Sequence, residues 1–299
     1  MRIISTESMN YHAKEPEAFV KFSEEEYGFQ ITDAALGIVE ENKPIVLITG
    51  PSGSGKTVTA HRLRAELEKT GHKTHIISMD NYFLPLESGI EGVDLESPER
   101  VDLELFGRQS QKILRCEEIT LPVFNFTNQS RSDGARFRRG EGEIVIFEGI
   151  HMLNPLVAGS LSKDAASVYV SVRTRIKAQS TILHPSKVRL MRRFVRDKLY
   201  RGRELVQTIE FFENVERGEK LYIMPFKHLA DFDIDTFIAY EPSVYKKHIF
   251  EEIKANAGSG CPITQELLHF LQELDCVADE FVPGRSPVRE FIGGNELME

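Results

Sequence analysis

Short apolar runs and longer amphipathic stretches take turns along most of this chain. Residues 44–49, Pro-Ile-Val-Leu-Ile-Thr, are apolar and rich in β-branched side chains, without polar alternation. Such a run predicts a strand buried on both faces of a parallel sheet. It enters a glycine-rich turn and then residues 58–69, where the spacing becomes helical and Gly71 closes the pattern. Residues 75–78, 143–147 and 167–172 read as further strands, and 103–114 and 186–199 as further helices. Strands alternating with helices predict an α/β fold: a parallel sheet flanked by helices.

Three stretches break the alternation. Residues 119–139 run from Pro122-Val-Phe-Asn-Phe126 into a polar, Arg-rich segment, which predicts a hairpin or flap beside the sheet. Residues 1–42 are acidic and mixed, with a short helix expected over 31–39. Residues 256–262 read as a linker, 263–277 as a helix, and the remainder as an extended tail. The expected organisation is an N-terminal extension (1–42), a core domain (43–255) with a cationic lid at about 184–204, and a C-terminal linker, helix and tail (256–299).

Charge narrows the function classes. The chain carries 37 basic and 46 acidic residues, a net charge of −9, the opposite of a nucleic-acid binder's balance, so no nucleic-acid partner is expected. No run of eighteen apolar residues predicts a membrane span, and no export signal is evident, so a cytoplasmic location is expected. Cys116, Cys261 and Cys276 are far apart and odd in number, which fits reduced thiols rather than a disulfide or metal framework. A homo-oligomer is compatible with the sequence.

The turn after the first strand carries the clearest chemistry. Gly50-Pro51-Ser52-Gly53-Ser54-Gly55-Lys56-Thr57 fits G-x-x-x-x-G-K-[ST] between a strand and a helix that opens with Val58. Glycines let successive N–H groups converge on phosphate oxygens, and the helix adds its positive N-terminal end. Lys56 supplies charge to the β- and γ-phosphates of ATP, and the Thr57 hydroxyl suits Mg²⁺. Two acids stand at strand ends. Glu148 closes an apolar strand and is the main carboxylate candidate for Mg²⁺, or else faces solvent. Asp80 follows the 75–78 strand and is either a proton acceptor for an attacking hydroxyl or a turn cap.

A cationic run completes the set. From Arg173 to Arg203 there are eleven Lys or Arg and one acid, Asp197. Arg189, Arg192, Arg193 and Arg196 share one helical face, and Arg201 and Arg203 follow around Gly202. Beside a phosphate loop this reads as a movable arginine lid; the alternatives are a solvated face or a nucleic-acid contact.

Together these blocks resemble the uridine kinase and phosphoribulokinase branch of P-loop kinases. The resemblance spans about residues 44–240 and rests on Gly50–Thr57, Ser78-Met-Asp-Asn-Tyr-Phe83, Glu96-Ser-Pro98, Pro122–Phe126 with Arg131, Ile146-Phe-Glu-Gly-Ile150, Arg193–Arg203 and Lys227-His-Leu-Ala-Asp231. It implies ATP and Mg²⁺ as cofactors and a small-molecule acceptor, a nucleoside phosphorylated on its 5′-hydroxyl. Asp80 falls on the catalytic base and beside the metal, and Thr57 and Glu148 fall on the metal positions. Lys56, Arg196, Arg201 and Arg203 fall among the catalytic cations, and Arg193 on a substrate arginine. Glu96 stands where the family has an aspartate for the ribose hydroxyls, and Phe83, Phe124, Phe126 and Ile150 fall on the nucleoside pocket.

The chain departs from the pocket motif Tyr-Asp-Phe-x-x-His-x-Arg, reading Phe124-Asn-Phe-Thr-Asn-Gln-Ser-Arg131. Gln129 replaces the base-reading histidine; its amide can still donate and accept. Two other readings stand beside the nucleoside kinase. One is a sugar-phosphate kinase with Arg131, Arg136, Arg138 and Arg139 as an anion site. The other is a regulator that binds ATP without phosphorylating metabolites.

Overall fold

The computed structural model describes residues 2–86, 93–179 and 181–297. Five parallel strands form the central sheet in the order Phe232–Asp235, Ala165–Ser171, Ile45–Thr49, Ile144–Glu148, Thr74–Ser78. The fold is therefore α/β, as the alternation predicts. Side chains of successive residues in one strand face opposite sides. Val46 and Ile48 accordingly join a large apolar cluster with the helices Pro16–Glu41, Lys56–Lys69, Pro185–Arg196 and Glu241–Asn256. Ile45 and Leu47 join a second cluster with Phe106 and Ile113 of the helix Leu103–Leu114.

Strand register places the chemistry. Glu148 pairs with Ile48 on one side and with Ser78 on the other. The phosphate loop that begins at Gly50, Asp80 and Glu148 thus leave the sheet at one carboxyl-terminal edge, where open α/β sheets bind ligands. The segment 119–137 is an antiparallel hairpin, Ile119–Asn125 with Ser130–Phe137, standing beside the sheet.

Both ends of the chain differ from expectation. The expected short helix over 31–39 is the end of a 26-residue helix, Pro16–Glu41. Its polar stretches hid the period, but it is fastened to the helix after the phosphate loop: the Tyr27 and Thr59 hydroxyls lie 2.7 Å apart, and Arg62 pairs with Glu24. The C-terminal residues are not an extended tail. After the helix Pro262–Glu273 the chain folds back, burying Val288 and Phe291 against the core. Among the described residues, no helix is long and apolar enough to cross a membrane.

Candidate active site

The phosphate loop is shaped by close approach and by left-handed backbone. A Cβ on Gly50 would lie 1.9 Å from the Val170 carbonyl oxygen, so only glycine fits there. Gly53 and Gly55 hold φ of 75° and 82°, which other residues adopt at a cost. Gly55 then caps the helix Lys56–Lys69. Lys56 rests its Nζ on the Pro51 carbonyl at 3.2 Å. Burial pulls the Lys56 amine below its ordinary range, while Glu148 and Asp80 pull it back.

A cavity of about 440 Å³ opens over this loop, lined by Ser52, Gly53, Gly55, Lys56 and Thr57 at one end. Asp80, Glu96 and Glu148 also line it. Ser78, not Asp80, caps the turn after the 74–78 strand: its Oγ accepts from the Asp80 backbone N–H at 3.4 Å. The Asp80 carboxyl therefore faces the cavity. Burial pushes it up to about 7, with Glu148 adding and Lys56 opposing. Burial also raises Glu96, against Arg193. A larger, shallower groove of about 710 Å³ lies between Pro16–Glu41 and Lys56–Lys69, remote from these strand ends.

The arginine helix forms a wall of the cavity rather than a solvated face. Nearly all of Pro185–Arg196 is buried. Arg189 donates to the Ser52 carbonyl, Arg193 to Ser52 Oγ at 2.9 Å, and Arg192 to the Gly53 carbonyl at 3.0 Å. Arg192 is wholly buried and holds Glu241 with two bonds of 2.7 and 2.9 Å, so its charge serves the core. Arg193, Arg196, Arg201 and Arg203 line the cavity. Burial lowers Arg193 to about 10, with Arg196 adding to the fall. Arg201 and Arg203 converge on Asp197 at 3.3 and 3.6 Å, and Arg196 on the same carboxylate at 3.8 Å.

The acceptor end is apolar. Phe83, Leu95, Phe126 and Ile150 line it with Gln129. Phe124 does not line it; it is buried behind Phe83 and Phe126, with ring centroids 5.9 and 5.1 Å away, and supports both. The candidate anion site dissolves. Arg131 pairs with Asp102 at 2.8 Å and Arg136 with Glu118, while Arg138 and Arg139 donate to backbone carbonyls. None of the four lines the cavity. Asp231 is occupied with Ser167, to which it is bonded at 2.6 and 2.9 Å.

Sequence reasoning missed Asp197, Glu290, Arg100, Leu95 and Phe211 as residues of this region. Asp197 left a signal, being the lone acid in a cationic run. Glu290 left none.

The oxygen donors suit Mg²⁺. Among the described residues, no group of three His, Cys, Asp or Glu side chains is arranged to hold a metal alone. Mg²⁺ is usually held by one or two carboxylates together with phosphates and water, and Thr57, Glu148 and Asp80 on one cavity wall fit that pattern. The repulsion that Glu148 exerts on Asp80 is what a cation there would relieve.

Comparison with known proteins gives the chain a family. Residues 45–239 match the model of the phosphoribulokinase / uridine kinase family. A uridine kinase of Ligilactobacillus salivarius is 29% identical over 198 residues, covering 64% of this chain and 84% of that protein. A uridine kinase of Anoxybacillus flavithermus is 30% identical over 196 residues, covering 63% and 84%. A solved structure from Silicibacter sp. TM1040, described as a fructose transport system kinase, superposes with a TM-score of 0.52 at 21% identity. It covers 64% of this chain and 95% of that one, a likeness of fold.

Proposed function

Because the chain belongs to the phosphoribulokinase / uridine kinase family, and is an ATP-dependent kinase of that family, we propose that its acceptor is a nucleoside, phosphorylated on the 5′-hydroxyl. The observation that carries this reading is the make-up of the acceptor end. Phe83, Phe126 and Ile150 offer apolar surface to a planar base, Glu96 offers acceptors to sugar hydroxyls, and Gln129 offers a polar amide. The four arginines expected to receive a sugar phosphate are bonded elsewhere.

In this reading the phosphate loop's N–H groups and Lys56 hold the β- and γ-phosphates of ATP. Asp80, raised to about 7, accepts the proton of the acceptor hydroxyl as the hydroxyl oxygen attacks the γ-phosphorus and the bond to the β,γ-bridging oxygen breaks, releasing ADP; a base whose pKa lies near the working pH suits that step. Arg193, Arg196, Arg201 and Arg203 face the charge that spreads over the transferring group. Thr57 and Glu148, with Asp80 beside them, would hold Mg²⁺, which when bound neutralises phosphate oxygens. Most of the acceleration then comes from placement and electrostatics.

A screen of ADP release with nucleosides, pentose phosphates and hexoses as acceptors tests this. We expect pyrimidine nucleosides to give the highest kcat/KM. A sugar phosphate exceeding every nucleoside would overturn the substrate assignment, and ATP binding with no acceptor-dependent ADP release would favour the regulator.

A further inference from the structure

Glu290 lies 51 residues beyond the family match, which ends at residue 239, yet its side chain lines the cavity together with Lys56, Thr57 and Arg196. Its Oε2 is sealed from solvent and has no hydrogen-bond partner. A carboxylate oxygen buried without a partner is costly, so a residue there for packing alone would be expected to be apolar. The neighbouring cations decide what it does. Arg192 is spent on Glu241 and Gly53, and in the reading above Lys56 belongs to the β- and γ-phosphates. Arg196 is different: its Nε is also buried without a hydrogen bond, and its contact with Asp197 is a long 3.8 Å.

The segment carrying Glu290 is pinned on both sides. Ser286 Oγ lies 2.8 Å from the Tyr240 hydroxyl. Arg289 donates to the carbonyls of Asp279, Val282 and Gly293. Phe291 is wholly buried, with the Arg192 guanidinium 5.3 Å from its ring centroid. Gly293 holds φ of 92°, and a Cβ there would lie 2.0 Å from the Tyr200 hydroxyl. Tyr200 belongs to the turn that carries Arg201, so the C-terminal segment and the arginine turn are fitted to one another.

We propose that the C-terminal segment completes the active site, and that Glu290 is a positioning residue whose charge orients Arg196, across the cavity both line, toward the transferring phosphoryl group. The proposal rests on the kinase reading above. The chemistry gives it an uncommon signature. A carboxylate beside bound phosphates opposes the nucleotide while it aims the arginine. Its removal therefore leaves nucleotide affinity equal or tighter while slowing transfer.

The experiment uses the full chain. Calorimetric binding of MgATP and acceptor-dependent ADP release by the unaltered protein test the kinase reading first and separately. Glu290→Gln, close in shape, is then expected to lower kcat about 10-fold, with ADP affinity unchanged or up to a few-fold tighter and Tm unchanged or higher. Glu290→Asp is expected to recover part of the rate. Arg196→Ala and the double variant Arg196→Ala, Glu290→Gln should show the same kcat, because one residue acts through the other. A Glu290→Gln protein within twofold of the original kcat would overturn the proposal. So would a rate loss accompanied by weaker ADP binding and a lower Tm, and so would additive losses in the double variant.

Discussion

The two ends of the cavity are built by opposite means. At the phosphate end, backbone and buried cations fix one another: Gly50 sits against the Val170 carbonyl, and Arg189, Arg192 and Arg193 all bond into residues 52–53. At the acceptor end, Phe126 on the hairpin is 56% exposed and Gln129 stands in a left-handed turn. Over-determined surroundings can hold charges that would be expensive alone. An exposed hairpin can change its reading surface without disturbing the core. In the proposed reading, the reaction type belongs to the over-determined phosphate end, and substrate choice belongs to the acceptor end, where Phe126 and Gln129 of one exposed hairpin join Phe83, Glu96 and Ile150.

The largest test of the contrast is Asp80→Asn. General-base catalysis contributes about 10²–10⁴-fold, so kcat is expected to fall about 10³-fold while MgADP binding persists. Stability should move the other way. The folded carboxyl is raised to about 7 by burial first and Glu148 next, above an unfolded value near 3.8. The folded state therefore holds the proton more tightly, and stability is lost as pH rises from about 4 through 7. Removing the charge should stabilise the metal-free protein by up to about 4 kcal/mol at pH 8 and by nothing at pH 3. Denaturation of both proteins across pH checks this; a destabilised Asn variant at pH 8 would mean Asp80 is structural.

Next in size is a comparison inside the cationic run. Arg192→Met leaves Glu241 buried without its cation, and breaking such a pair costs about 3–5 kcal/mol. Arg201, whose side chain is 43% exposed, pairs at 3.3 Å with Asp197, which is buried and keeps Arg196 and Arg203 as neighbouring cations when Arg201 is removed. Arg201→Ala is expected to cost under about 1 kcal/mol of stability but to lower kcat at least 10-fold. Urea titrations beside turnover assays separate the two. Equal stability losses would show that Arg201 belongs to the core as Arg192 does.

What the sequence disclosed follows the same division. The phosphate loop, Asp80 and Glu148 were legible because a buried strand must be apolar and the residue after it stands at the sheet edge, so one-dimensional pattern implies position. The arginine run was legible as charge but not as placement. Periodicity puts Arg192 and Arg196 on one face, yet only tertiary packing sends the first to Glu241 and the second to the cavity. Glu290 was illegible as a site residue because nothing local gives its segment a chemical role. Its position is set by Phe291 and Arg289, whose partners lie in distant elements. The long N-terminal helix was hidden for a related reason. Its period is broken by polar residues such as Glu24, which pairs with Arg62 across the interface.

The smallest expected effect tests whether the two ends are independent. Gln129 donates from Nε2 to the Phe126 carbonyl at 2.8 Å. A carbonyl can only accept, so the amide nitrogen must face it, which leaves Oε1 to accept from a substrate N–H. The backbone at Gln129 holds φ of 53°, and its carbonyl accepts from the Leu86 N–H at 3.1 Å, so the residue also fixes the turn. Gln129→Glu keeps the size but sets an oxygen against the Phe126 carbonyl. One lost hydrogen bond is worth about 1 kcal/mol, so the acceptor KM should rise five- to tenfold. The KM for ATP should stay within twofold, because no phosphate-loop contact passes through the hairpin turn. If both KM values rise together, the hairpin and the phosphate loop are coupled, and substrate choice in this chain cannot be altered at the hairpin alone.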